Sequence, residues 1–259
     1  MPAYGDIQAS FLDERDRLLQ ALDRPENRGV SLRLIGALAF RTHCPAFGRL
    51  QDDLGRVFTD IDFGAYSRDF GAIQRILSEA GYEEDKMVTR LFGEGRLLFH
   101  DPVSGRHIDV FLDRLDFCHI IPFKDRLEAD RPTLPLAELL LEKMQIVKLN
   151  EKDLIDTIVL LREHPIGEGD KETINGTVIS RLAGDDWGLW RTLTGNLRLV
   201  ADSLESYPRL GPEDRTLVRD RLQALEARLE SQPKSRRWKL RAAIGERLKW
   251  YKDVEELVR

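Results

Sequence analysis

Thr59-Asp60-Ile61-Asp62-Phe63 constrains this chain more than any other stretch. In a β-strand, residues two apart point to one face, so Asp60 and Asp62 project together while Ile61 and Phe63 bury on the other side. Two carboxylates confined to one small region raise each other's proton affinity unless a cation sits between them. Paired aspartate oxygens suit a hard divalent ion such as Mg²⁺. A second alternating run, Arg106 to Leu112, sets Ile108 and Val110 on one face and His107, Asp109 and Phe111 on the other. If the two strands pair, Asp109 adds a third carboxylate. A D-x-D is also common as a solvated or capping pair at strand ends; here the apolar flanks and the third aspartate favour a metal site.

The neighbouring segments read as elements that present this cluster. Ile7 to Leu22 is a helix, with Phe11, Leu18, Leu19 and Leu22 at helical spacing, suited to cover a sheet. Leu32 to Ile35 is a short strand, Gly36 a turn, and Ala37 to His43 a helix; a glycine there lets backbone approach a ligand, and helix N-terminal amides attract phosphate. Pro45 to Gly55 reads as a loop with Arg49, and Arg56 follows just before the D-x-D. Surface solvation is the default for both arginines, and either has the chemistry to meet a triphosphate. Asp69 to Ala80 is helical with Gly81 as its stop. Met87 to Phe92 and Arg96 to His100 read as strands around a Gly93-Glu94-Gly95 turn, and Asp101 to Gly105 is the turn into the Asp109 strand.

After Pro132 and Pro135 no strand pattern remains. Leu136 to Leu149 and Glu151 to Arg162 are helices; Lys143 lies among leucines, and Asp153 and Asp156 share a helical face near Lys152. Ile174 to Leu182, Trp187 to Leu204, Glu213 to Leu229 and Lys239 to Val258 follow as helices, broken at Gly184, Pro208 to Pro212 and Pro233. Trp187 and Trp190 read as core aromatics. The basic run from Lys234 to Lys252, interleaved with Trp238, Trp250 and Tyr251, reads as a solvated face balanced by Glu246, Glu255 and Glu256. The fold class is therefore α+β, a small mixed or antiparallel sheet with helices, then an all-helical C-terminal region. The domains are 1–131 and 132–259, the latter divided into helices over 132–165 that complete the active site and a bundle over 170–259.

The order strand, Gly36-Ala37 turn, helix, Asp60-Ile61-Asp62, then Ile108-Asp109-Val110 resembles the nucleotidyltransferase superfamily related to DNA polymerase beta. Leu141-Glu142-Lys143-Met144-Gln145, Lys148, Lys152-Asp153 and Leu154-Ile155-Asp156 resemble a second signature, that of the AbiEii branch, which includes toxins of toxin–antitoxin pairs. Together they span Leu32 to Leu161. Ala37 stands where the superfamily usually shows a second Gly or Ser, and the stretch between Gly36 and Asp60 is longer than usual. The resemblance implies a metal-dependent nucleotidyltransferase. Asp60, Asp62 and Asp109 would hold Mg²⁺ or Mn²⁺, with Asp109 also suited to deprotonate the acceptor. Gly36, Ala37, Arg56, Lys143, Lys148, Asp153 and Asp156 would bind the nucleoside triphosphate (NTP). It also implies an acceptor hydroxyl on tRNA, protein or a small molecule, and an antitoxin as a partner. The rival readings are a non-catalytic nucleotide- or partner-binding module and a metal-dependent phosphohydrolase.

At 259 residues and a net charge of −5, the chain is no generic polyanion binder, and nucleic acid would have to meet a local patch. Only Cys44 and Cys118 occur, without C-x-x-C spacing, which suits a reducing cytoplasm; their histidine neighbours lack paired zinc-ligand spacing. Charges interrupt any N-terminal apolar core, and no run reaches the ~18 to 20 apolar residues of a membrane span. A cytoplasmic protein without membrane contact is expected.

Overall fold

A computed structural model describes residues 4–92 and 94–254. Its elements fall into two compact units. One comprises 1–43, 57–115 and 122–135, and the other 44–56, 116–121 and 136–259.

The first unit carries the sheet. Helix α1 (Tyr4–Leu22) precedes strand β1 (Leu32–Ile35) and helix α2 (Gly36–His43). After the short helix α3 (Arg49–Asp53), which belongs to the second unit, come β2 (Ile61–Ala65), α4 (Phe70–Glu79), β3 (Glu83–Glu84), α5 (Lys86–Phe92), β4 (Arg96–His100) and β5 (His107–Leu112). The strand order is β1-β2-β5-β4-β3. Only β2 and β5 run parallel and the other pairs are antiparallel, so the sheet is mixed. The register explains the alternation in the sequence. Leu34, Phe63, Val110 and Leu97 form one row across four strands, and Ile61, Ile108 and Phe99 form the next. All seven are essentially buried, at about 1.5–3 kcal/mol per large apolar side chain. Slipping β2 by one residue would turn Asp60 and Asp62 into that core, so burial fixes the register. On the opposite face, Phe123 and Leu134 pack over Gly64, where a Cβ would lie 3.0 Å from the Phe123 ring. Helix α1 covers its part of this unit with an edge-to-face contact from Phe11 to Phe58 at 6.5 Å, and Gln8 accepts a hydrogen bond from the Phe58 amide.

Short strands β6 (Arg114–Asp116) and β7 (Ile120–Pro122) lead into the helical unit. Helix α6 (Leu136–Met144) is buried along its whole length, which is why its sequence is apolar on every side. Against it pack α7 (Glu151–Glu163), α8 (Gly176–Asp185) and α9 (Trp187–Ser203), and α10 (Pro212–Ser231) packs on those three. Helix α10 turns Val218, Leu222, Leu225 and Leu229 inward at spacings of four and three. Helix α11 (Arg236–Ile244) packs on α8 and α9. The described part is thus a mixed α+β fold followed by a helical C-terminal region.

Several expected elements are corrected. Met87 to Phe92 is helical: the Asp85 carboxylate accepts from the amides of Met87 and Val88 at 2.9 and 3.0 Å, an N-terminal cap that overrides the alternating pattern. The Pro45 to Gly55 loop contains α3. The helix expected over Leu136 to Leu149 stops at Met144, where Asn196 donates to the carbonyls of Met144 and Ile146 at 2.8 Å each. Asn150 and Asp153 then start α7 with a reciprocal capping box. Strands do occur after Pro135: β8 (Ile166–Gly167) pairs in parallel with β9 (Ile174–Asn175). Helix α8 accordingly begins only at Gly176, capped by Asn175, and runs through Gly184. The helix expected from Lys239 to Val258 instead covers Arg236–Ile244 and ends at Gly245, whose φ of 61° leaves the right-handed helical region. Gly93 of the expected turn, and Glu255, Glu256 and Val258 of the expected last helix, lie outside the described residues.

Candidate functional site

In the first unit the parallel pairing of β2 and β5 sets Asp62 abreast of Asp109, and antiparallel pairing of β1 sets Ile35 abreast of Asp62. The turn at Gly36, the D-x-D and the third aspartate thus meet at one end of three adjacent strands. Asp60 directly precedes β2 and is half-buried, as is Asp62. Asp60 accepts from the Thr59 hydroxyl at 3.2 Å. Gly36 has a φ of 69°, and a Cβ built there would lie 2.8 Å from Asp62 Oδ2. The group that approaches the glycine turn most closely in this structure is therefore the Asp62 carboxylate. Ala37 follows, buried at the start of α2.

Asp109 is 3% exposed, and its charge is met by Arg96 on the neighbouring strand β4, with Nε 2.7 Å from Oδ1. The pairing sets Arg96 opposite Phe111, so it reaches Asp109 diagonally, two residues along β5. The guanidinium also lies over the Phe111 ring, 5.4 Å from its centroid. Arg96 was not among the residues singled out from the sequence. Its signal was its place one short turn before the Asp109 strand, at an alternation that puts it on the aspartate face. His107 lies on that same face, and its buried Nδ1 has no hydrogen-bond partner.

All donors are carboxylate oxygens, chemistry that fits a hard divalent cation at Asp60 and Asp62. Among the described residues, however, the oxygens of Asp60, Asp62 and Asp109 do not gather within 4.8 Å of one another. Asp109 fits the donor set poorly, because a guanidinium already compensates it.

The second unit gathers most of the other expected residues into a separate buried network. Lys143 Nζ lies 2.9 Å from Glu142, 3.6 Å from Asp156 and 4.0 Å from Asp153. Arg56 donates Nε to both oxygens of Asp156 and Nη2 to one, each at 3.2 Å, and Gln51 donates to Asp156 at 2.8 Å. Burial alone would push the Lys143 pKa down, but Glu142, Asp156 and Asp153 together hold it above the usual lysine value. Burial pushes the Asp153 carboxyl up, against the opposing pull of Lys143 and the Asn150 amide. Lys148 stands outside this network, exposed between α6 and α7. Gln51 was not expected from the sequence, since an isolated glutamine carries no spacing signal.

The two cysteines are buried free thiols; Cys44 contacts the Val159 carbonyl, and Cys118 accepts from the Val147 amide. Trp187 is buried and Trp190 packs edge to face with Trp238 at 5.3 Å, which makes both part of the helical packing. No helix among the described residues is long and apolar enough to cross a membrane.

No family model matches the chain, and no curated protein matches it. Among solved structures, the chain is similar to the antibiotic-resistance factor ANT(2'')-Ia, whose solution structure is described as revealing substrate-regulated conformation dynamics. The likeness has a TM-score of 0.35 and 14% identity, and it covers 86% of this chain and 96% of that one. That level of overlap does not identify a common fold, and the chemistry of the site rests on this chain's own residues.

Proposed function

We propose that the chain is a metal-dependent nucleotidyltransferase that moves a nucleoside monophosphate from an NTP to an acceptor hydroxyl. The observation that carries this reading is the register Ile35, Asp62, Asp109 across β1, β2 and β5. In that register the D-x-D strand lies between the glycine turn on one side and the third aspartate on the other. Asp60 and Asp62 would hold the divalent ion, Mg²⁺ or Mn²⁺. When bound, that ion would neutralise triphosphate oxygens and the charge that develops on the leaving pyrophosphate. Gly36 and Ala37 would bring backbone close to the nucleotide, since no Cβ at position 36 intervenes. Lys148, exposed between α6 and α7, would carry positive charge for the nucleotide as the AbiEii resemblance implies. Lys143, Arg56, Asp153 and Asp156 are held in one buried network with Glu142 and Gln51, so their proposed part is to fix the helical unit rather than to grip phosphate. The acceptor class spans tRNA ends, protein hydroxyls and small molecules. A toxin role with an antitoxin partner extends the AbiEii resemblance.

One observation favours the rival reading, a non-catalytic nucleotide- or partner-binding module. Asp109 is already compensated by Arg96, so keeping these carboxylates does not by itself require a cation. The deciding experiment incubates the purified protein with Mg²⁺ and each α-labelled NTP, with and without total tRNA or cell lysate, beside Asp60→Asn. Label on a macromolecule with the native protein and none with the variant is the expected outcome. Equal labelling by Asp60→Asn would sink the assignment. Mg²⁺-dependent nucleotide binding with no transfer to any acceptor would move it to the binding module.

A further inference from the structure

We infer that Arg96 is an anion-binding residue of the Asp60–Asp62 site and that Asp109 is its positioning residue, not a metal ligand. The inference rests on the nucleotidyl-transfer reading and names the group that meets the substrate's phosphates. Asp109 is nearly inaccessible, whereas the Arg96 side chain is 26% exposed. A buried carboxylate has to be compensated, and here the Nε edge of Arg96 does so at 2.7 Å. Among the described residues neither Nη nitrogen of Arg96 has a partner. The exposed edge of the guanidinium thus keeps the N–H donors that match two oxygens of a phosphate or carboxylate.

Two constraints hold this fork in place, the bond to Asp109 and the contact with the Phe111 ring at 5.4 Å. A side chain immobilised before binding loses little rotamer freedom when an anion arrives. The register places it on the aspartate face, one strand beyond Asp109 and two beyond Asp62. An anion there would meet fixed positive charge from Arg96, and Asp60 and Asp62 on the same face would hold a divalent ion that could neutralise it further. Were Asp109 to bind the metal instead, two cations would share one buried carboxylate or Arg96 would lose its anchor. The ligand class is a polyphosphate, of which an NTP is one member.

The test uses the full-length protein, tripolyphosphate as the anion probe and Mn²⁺ as the metal probe, each followed by calorimetry and Mn²⁺ by its effect on water proton relaxation. Arg96→Lys keeps a charge for Asp109 but loses the planar fork, so it preserves the fold where Arg96→Gln fails to. Arg96→Lys and Asp109→Asn are each expected to weaken tripolyphosphate about tenfold, the scale of one charge-assisted hydrogen bond, while Mn²⁺ affinity stays within about twofold. Asp62→Asn should weaken Mn²⁺ about tenfold or more. The inference is overturned if Asp109→Asn abolishes Mn²⁺ binding while Arg96→Lys leaves tripolyphosphate unchanged, or if the native protein binds no tripolyphosphate. Anion binding that depends on Arg96 in a protein that transfers no nucleotide keeps the inference and removes the transferase reading. Full transfer by folded Arg96→Lys with unchanged tripolyphosphate binding does the reverse.

Discussion

Gly36 is the residue on which the site's geometry turns. Its φ of 69° suits glycine, and the Asp62 carboxylate occupies the space a side chain would need. Gly36→Ala is expected to destabilise the protein by about 1–3 kcal/mol and to displace Asp62. A urea titration of the variant should show a lower midpoint, and Mn²⁺ affinity should fall with it; an unchanged midpoint would show that the turn tolerates a Cβ. Gly64 makes a different demand, because the Phe123 ring occupies the space a Cβ would need. Gly64→Val should cost about 1–3 kcal/mol by overpacking, with no direct effect on the metal donors. At this scale the sequence was informative where one residue's chemistry is unusual. A glycine before a helix, a D-x-D and a third acidic residue between isoleucine and valine all stand out. Arg96 and Gln51 did not stand out, because their meaning comes from partners on other elements. Asp109 takes its nearest charge from β4, and Asp156 from a residue 100 positions away.

Among the elements, the strands around the aspartates lie where alternation placed them, and long helices such as α9 and α10 follow their apolar spacing. The misplaced boundaries share a physical cause, side chains that bind backbone at helix ends. Asp85 starts α5 in a segment patterned like a strand, and Asn196, from another helix, takes the carbonyls that end α6. Helix α6 carries a residue with two readings. Lys143 reads as a phosphate ligand by its place in a signature, yet it is surrounded by Glu142, Asp153 and Asp156. Lys143→Met should destabilise the helical unit by about 3–5 kcal/mol, because three buried acids lose the cation they share. The pH dependence has a definite sign. A lysine whose pKa is raised in the folded state contributes fully below its ordinary value of 10.5 and loses that contribution as pH rises past it. The stability gap between native protein and Lys143→Met should therefore be level through neutral pH and narrow above about 10.5, as read by urea midpoints at several pH values.

Across the whole molecule, reporters are divided unevenly between the two units. All four tryptophans, Trp187, Trp190, Trp238 and Trp250, and both cysteines belong to the helical unit, so tryptophan emission and thiol chemistry report on that unit. Both thiols are buried, and desolvation raises the pKa of Cys44 above the usual thiol range. Iodoacetamide should therefore label native protein slowly at pH 8, and labelling should rise in step with the tryptophan transition under urea; rapid labelling without urea would contradict the burial. Neither unit is a contiguous piece of chain: the sequence passes between them after His43, Arg56, Leu115, Ile121 and Pro135. On a ribosome adding ~5–20 residues per second, Arg56 would emerge ~5–20 s before Asp156, the carboxylate that compensates it. For that interval a segment made early lacks the carboxylate that compensates its arginine, and no truncation short of the seventh helix would supply Asp156.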